Sequence, residues 1–466
     1  MFRLSTVLTV LAACCVAEAA DFPRGWRGDG SGRFAATQPP VVWSATKNVL
    51  WRLKMPARSN SQPIIVGNRV FTCAEPNTLM CVDKNSGKLL WSRTNGYRDI
   101  VPAAQWSKVQ TELQQARKIQ AEKRKDELAL RSIERRLEVA DGKGDKPAVK
   151  RLASEAKAVG RRIAGRDAAL KRLPLAMKWR THPTHDRMNG YTTATPTSDG
   201  RHVWGVFGNA VVCCYDLDGN RKWVRKMSDS PHSMFGHSAS PLLIGGRLIV
   251  NIEDTVALNK STGEELWRAG YGQCWGSTVH VRVGKQDFIA VPNGRILRAS
   301  DGKRAARARW VLSDASPIFH DGVLYYVQNR GGAVKLPKTP AEKLELTRLW
   351  NTDPKGSRYF SSPVLHDGLL YTVSSRQIMT VIDAADGKVV YQRRLNAGRG
   401  TAYPSVCFAG GRIYVSSDNG TTVVLKPGRK YEEIARNKLD GFISTPVFDG
   451  NRMYLRTHRY LYCIGK

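Results

Sequence analysis

Short apolar runs, broken by polar turns that close on glycine, recur along most of the chain, and one of these stretches sets the pattern. It reads Cys81-Val82-Asp83-Lys84-Asn85-Ser86-Gly87-Lys88-Leu89-Leu90-Trp91. An apolar strand ends at Asp83, a turn closes on Gly87, where positive φ carries no Cβ penalty, and a second strand ends in a large aromatic anchor. The string returns from Ala257 to Trp267 and from Val381 to Tyr391, and returns one residue shorter from Tyr215 to Trp223. Upstream of most copies lies a second element, in which Ser or Thr, a proline and alternating aliphatics lead into glycine. Its copies begin at Ser61, Thr195-Pro196, Ser240-Pro241, Ser316-Pro317, Ser362-Pro363, Tyr403-Pro404 and Thr445-Pro446, and Gly276-Ser277-Thr278 fills the remaining gap without a proline.

A repeat of about forty residues carrying four short strands is the pattern of a propeller blade, because one such sheet cannot bury both of its faces alone. The expected fold class is all-β, an eight-bladed β-propeller with an inserted antiparallel α-helical hairpin. The last unit stops after Tyr460 to Ile464, one strand short, and Asn48 to Leu53 has the form of the missing strand. Pairing the two ends closes the ring and removes an exposed edge. Trp51, Trp91, Trp223, Trp267 and Tyr391 are the expected docking residues between blades.

The repeated string, with its Asp, Gly-Lys and terminal Trp, resembles the tryptophan-docking repeat of the pyrroloquinoline quinone (PQQ) type β-propellers. That resemblance covers nearly all of the chain outside the N-terminus and one insertion. It implies two kinds of relative: PQQ- and calcium-dependent quinoprotein dehydrogenases of alcohols or sugars, and non-enzymatic members such as the propeller lipoprotein of the outer-membrane β-barrel assembly machinery. The docking residues are common to both.

Residues 1–20 read as an export signal, with Arg3 before an apolar run and Ala17-Glu18-Ala19 as a cleavage site. Leu11-Ala12-Ala13-Cys14 also fits a lipobox, which would lipidate Cys14; in either case the protein is expected to be exported, to the periplasm or cell envelope. Residues 21–56 form the approach and the ring-closing strand, and residues 57–466 the propeller. In the approach, Trp26 to Arg33 is Gly-rich but lacks phosphate-loop or EF-hand spacing, and reads as a surface loop pinned by Trp26. From residue 103 to 173, Ala, Glu, Lys, Arg and Gln replace glycine and β-branched residues. A coiled-coil seam through Leu152, Val159, Ile163 and Leu170, interrupted by Arg166, predicts the second helix of a hairpin that lies on the ring or meets a partner. His182, His185 and Asp186 sit together without recognised zinc spacing, and no metal site is expected. Cys213-Cys214 invites comparison with the vicinal disulfide of some PQQ enzymes, but its place within the repeat makes Cys214 a buried strand residue.

The net charge is +33. It favours anionic partners such as lipid head groups, hence peripheral membrane association, or acidic polysaccharides. No nucleic-acid motif accompanies it, so no specific nucleic-acid partner is expected. Chemistry is expected where the loops entering the innermost strands converge, and Tyr191, His237, Trp275, Asp314, Tyr359, Arg399 and Phe442 are the candidate ligand-binding residues. With Asp314 as the one acid in those loops, the parts for calcium and for a general base are short, although Asn60, Glu75 or Glu253 could contribute. No catalytic residue is therefore assigned. The expected function is an exported, monomeric, non-catalytic binding or assembly scaffold with a protein or anionic partner and no cofactor; the alternative is a quinoprotein dehydrogenase using PQQ and Ca²⁺.

Overall fold

The structure is a computed structural model that describes residues 25–179, 189–228, 235–270, 274–354, 356 and 358–466. The expected export signal with Cys14, and the cluster of His182, His185 and Asp186, lie outside the described residues.

Eight antiparallel sheets of four strands succeed one another as blades, the seventh carrying one extra strand. In blade 1 the strands Ile64–Val66, Arg69–Ala74, Thr78–Asp83 and Leu89–Thr94 pair in chain order. The two middle strands are buried almost throughout because neighbouring blades cover both of their faces. In the fourth strand only Trp91 is buried. Blade 8 is assembled from both ends of the chain: Val49–Lys54 pairs antiparallel with Tyr460–Ile464, placing Trp51 opposite Cys463 and Leu53 opposite Leu461. In all eight blades the pairing of the fourth strand shifts register next to its anchor position. Such a bulge twists an exposed edge and blunts it as a template for another chain.

Five tryptophan anchors dock their blade onto the next, while Ala306 and Ala435 hold the anchor place in blades 4 and 7. The indole N–H of Trp51 donates to Lys84 O at 3.1 Å, that of Trp91 to Leu217 O at 2.9 Å, that of Trp223 to Lys260 O at 3.0 Å and that of Trp267 to Ala299 O at 3.0 Å. Each ring lies against the turn glycine of its neighbour; a Cβ on Gly87 would stand 2.6 Å from Trp51, and one on Gly219 2.8 Å from Trp91. Trp350 makes the same contact with Ala384 O at 2.8 Å, against Gly387. Tyr391, at the corresponding place in blade 6, meets Tyr431 edge-on instead.

Between blades 1 and 2 the chain forms α1 (Ala103–Gly142), α2 (Lys146–Lys171) and a short α3 (Pro174–Trp179). Asp145 caps α2, accepting from the Ala148 N–H, and Pro147 sits in its first turn, where no partner for an N–H is lost. Beyond the root the two long helices pack through Ile133, Ala140, Leu152 and Val159. Arg166, the break in the seam, joins Arg162 in binding the buried Asp126 of α1, with Nε to Oδ2 at 2.6 Å. At the root, fully buried Val109 and buried Trp179 join Phe71, Trp91 and Tyr97 in one apolar cluster, so the hairpin is continuous with the core between blades 1 and 2. No helix of the described residues is long and apolar enough to cross a membrane.

The approach is not the surface loop that its glycines predict. Strand Arg33–Phe34 pairs in parallel with Cys407–Ala409, the innermost strand of blade 7, and Arg27 is wholly buried. The Arg27 backbone N–H donates to Gln62 Oε1 of blade 1, and its guanidinium donates to Pro363 O and Val406 O of blades 6 and 7 at 2.7 and 2.8 Å. Burial lowers its pKa to about 10. The glycines serve this close packing: a side chain on Gly32 would overlap the Arg27 guanidinium. The segment crosses the channel and plugs it.

Candidate functional site

Just before each innermost strand the chain descends into the channel in extended form, so alternate residues face the axis. The residue two places before each strand makes one ring. The Thr195 N–H donates to Ser240 Oγ, the Ser240 N–H to Ser277 Oγ, the Ser277 N–H to Ser316 Oγ and the Ser316 N–H to Ser362 Oγ, at 2.8–3.0 Å. The Ser362 N–H continues to Ser405 Oγ at 3.2 Å and the Ser405 N–H to Thr445 Oγ1 at 3.0 Å. Gln62 holds this place in blade 1 and binds the plug instead. The Ser/Thr of the repeat is therefore a girdle that ties blade to blade. In blade 7 the girdle residue is Ser405, two places beyond the Tyr403-Pro404 that the proline suggests.

Above the girdle, two residues earlier in each blade, a second tier faces the same space: Asn60, Thr193, Ser238, Trp275, Asp314, Phe360, Tyr403 and Ile443. Both tiers and the Trp26 ring, which forms the floor, enclose a cavity of about 300 Å³. Its walls carry two aromatic pairs. Phe235 and Trp275 meet edge to face with centroids 5.2 Å apart, and Phe360 stacks on Tyr403 at 4.6 Å with the Arg358 guanidinium 5.0 Å from the Phe360 centroid. Trp275 is held by its indole N–H to Gly236 O. Asp314 is bound by Arg358 through two parallel bonds of 3.0 and 3.1 Å, and by the Ser313 hydroxyl at 2.9 Å.

Of the candidate residues, the structure brings Trp275 and Asp314 into the cavity wall. Tyr359 and Phe442 stand one place off in the alternation and are fully buried behind the wall. His237 is also one place off and is half-buried, and Tyr191 gives its backbone N–H to Glu75. Arg399 is exposed and lines no part of the cavity. The residues that sequence reasoning missed are Trp26, Phe235, Arg358, Phe360 and Tyr403. Counting back from the first strand residue, rather than from the proline, finds Phe360 and Tyr403; Trp26 left no such signal.

A calcium site of the quinoprotein kind needs several oxygen ligands, carboxylate included. The one carboxylate among the described cavity-lining residues is committed to Arg358. Glu75 points away, accepting from the Tyr191 and Thr192 N–H groups and the Thr192 hydroxyl, with its pKa raised by burial. Glu253 accepts from Ser228. Among the described residues no three His, Cys, Asp or Glu side chains gather as a metal site. The described residues that line the cavity do not by themselves supply the oxygen ligands of a calcium–quinone pair. Cys213 and Cys214 are free and buried in the third strand of blade 2, on opposite faces, and burial raises both thiols.

A comparison with curated protein sequences returns no match. Among solved structures, BamB from Moraxella catarrhalis aligns with a TM-score of 0.54 at 10% identity, over 90% of this chain and 97% of its own. The computationally designed Ika8 protein aligns with a TM-score of 0.54 at 8% identity, over 90% and 100%. The quinohemoprotein alcohol dehydrogenase from Comamonas testosteroni aligns with a TM-score of 0.53 at 10% identity, over 93% and 79%. At such identities these likenesses concern the fold alone. The profile described as outer membrane protein assembly factor BamB matches residues 29–124, 176–274 and 293–393, more than half of the chain. On that match, and on the eight blades with their five docking tryptophans, the chain belongs to the PQQ-like β-propeller family of that profile.

Proposed function

We propose that this protein is an exported, non-catalytic binding or assembly scaffold of the cell envelope. The carrying observation is the state of Asp314: the one carboxylate that the described residues place in the cavity wall is held by Arg358 and Ser313, which leaves it neither a free base nor a free metal ligand. A dehydrogenase of this family needs both a carboxylate-bearing calcium site and a base for the alcohol proton. The likeness to an assembly factor supports a protein partner. The hairpin supplies a surface for one: α2 carries eight Lys or Arg against two acids, and both acids are paired, Glu155 with Arg151 and Asp167 with Lys123. Its remaining charge suits an acidic face.

The test is reconstitution. The purified full chain is incubated with PQQ and Ca²⁺ and assayed for reduction of an artificial electron acceptor with a panel of alcohols and sugars. No turnover, with no calcium-dependent quenching of tryptophan fluorescence by PQQ, is the expected result. Saturable quenching with dye reduction would establish the dehydrogenase reading instead.

A further inference from the structure

The girdle hydroxyls have an unused half. A serine or threonine hydroxyl carries one donor and two acceptor positions. In Ser240, Ser277, Ser316, Ser362, Ser405 and Thr445 an acceptor position is taken by the preceding blade's N–H, while among the described residues none of the six donates to a protein acceptor. All six are more than nine-tenths buried, and all six line the cavity. The bottom of the funnel is therefore a ring of convergent O–H donors closed below by the Trp26 ring. It is built to receive oxygen acceptors.

Higher in the funnel the chemistry changes. Trp275 on one wall and the Phe360–Tyr403 stack on another offer flat faces with negative quadrupoles, which attract weakly positive C–H groups. Between them lies the Arg358–Asp314 ion pair; Arg358 spends its Nε and Nη2 on it, and among the described residues its Nη1 keeps N–H groups suited to a ligand carboxylate. A sugar ring carries C–H faces and a rim of oxygens. Among the described residues none closes the cavity opposite Trp26, so a chain can enter end-on, and a net charge of +33 draws an anionic one.

From this geometry we propose that the funnel seats the terminal uronate residue of an acidic oligosaccharide, its ring against Trp275 and the Phe360–Tyr403 pair and its oxygens on the hydroxyl girdle. The assignment rests on the non-catalytic reading of the cavity and names the ligand class for it. Binding is measured on the full chain by calorimetry and tryptophan fluorescence with trigalacturonate, in 0.15 M and 0.5 M salt. A neutral trisaccharide, a peptide with a free C-terminal carboxylate, and PQQ with Ca²⁺ serve as comparisons.

The expected result is saturable binding of trigalacturonate that persists in 0.5 M salt, weakens at least tenfold in both Trp275→Ala and Tyr403→Leu, and is at least tenfold weaker for the neutral trisaccharide. Two positions are varied so that a folding defect in one variant, detected by circular dichroism, leaves the other to decide. Binding that disappears in 0.5 M salt and ignores both substitutions overturns the assignment in favour of attraction to surface charge. Equal or tighter binding of the peptide, or no saccharide binding at all, also overturns it and leaves the non-catalytic reading intact. Calcium-dependent PQQ binding with dye reduction overturns both.

Discussion

Gly263 and Gly245 lie in the same blade, and both adopt positive φ, +74° and +55°. Alanine at either position enters the left-handed region, at a cost of about 1 to 2 kcal/mol. Their surroundings differ. At Gly245 an added Cβ meets no atom within 4 Å, whereas at Gly263 it would stand 2.7 Å from two atoms of the Trp223 indole. That ring cannot retreat freely, because its N–H is bound to Lys260 O and the side chain is buried. Overpacking of this kind costs about 1 to 3 kcal/mol. Gly245→Ala is therefore expected to lose about 1 kcal/mol and Gly263→Ala about 3 kcal/mol, a difference of about 2 kcal/mol due to docking alone. Equilibrium urea unfolding followed by circular dichroism measures both. Adding Trp223→Ala to each background completes a cycle, and coupling should appear only with Gly263→Ala. Equal losses in the two single variants, or additivity of Gly263→Ala with Trp223→Ala, would refute the account of the turn glycine as a docking seat.

Three further outcomes are expected. Trp51→Ala in the ring-closing strand should cost about 3 kcal/mol, as loss of a packed aromatic does, while Leu50→Ala beside it, 43% exposed, should stay within about 0.5 kcal/mol; similar urea midpoints for the two would reject closure through this strand. Removing residues 124–160 and rejoining the helices by a short turn should leave thermal unfolding cooperative, whereas removing residues 103–173 should lower the melting temperature, since it takes fully buried Val109 from the core. His366 stacks on Phe408 at 3.7 Å, and burial lowers its pKa below the ordinary value. Its neutral form is the one that folding favours, so its contribution is complete above the unfolded pKa of about 6.5 and is lost as pH falls below it. Melting temperatures from pH 7.5 to 5.5 should fall less steeply in His366→Phe than in the unsubstituted protein, and parallel slopes would dismiss this residue as a source of the pH dependence.

The ring was legible because its determinants are local and repeated. A strand that ends in Asp, a turn that needs Gly87 and an aromatic that needs a partner glycine all fall within eleven residues, and each copy reinforces the others. Trp350 escaped because the loop before its strand runs through Pro337 and Pro340, with no Gly-Lys turn to announce it. The plug escaped for a different reason. Arg27 is satisfied by carbonyls of Pro363 and Val406, more than three hundred residues away in the chain, and no short window of sequence carries such a partnership. An arginine among glycines is ordinarily a solvated one; here the glycines clear the space that buries it.

The funnel shows how little separates a right residue from a wrong one. Because side chains alternate across an extended segment, a shift of one place exchanges the channel for the space between blades. Prolines gave an uneven mark: Pro363 follows the girdle residue Ser362, while Pro404 precedes the girdle residue Ser405. Hydrogen bonding gives a better one. The girdle fixes which residue turns its hydroxyl to the neighbouring blade, and pleating then sends the residue two places before it toward the axis. Trp275 and Asp314 obey that rule, as do Phe360 and Tyr403, whereas Tyr359 and Phe442 fall on the alternate positions and fill the core. The same hydrogen bonds that hold the blades together thus set the lining of the cavity, so a substitution in the girdle should alter the lining and the stability of the ring together.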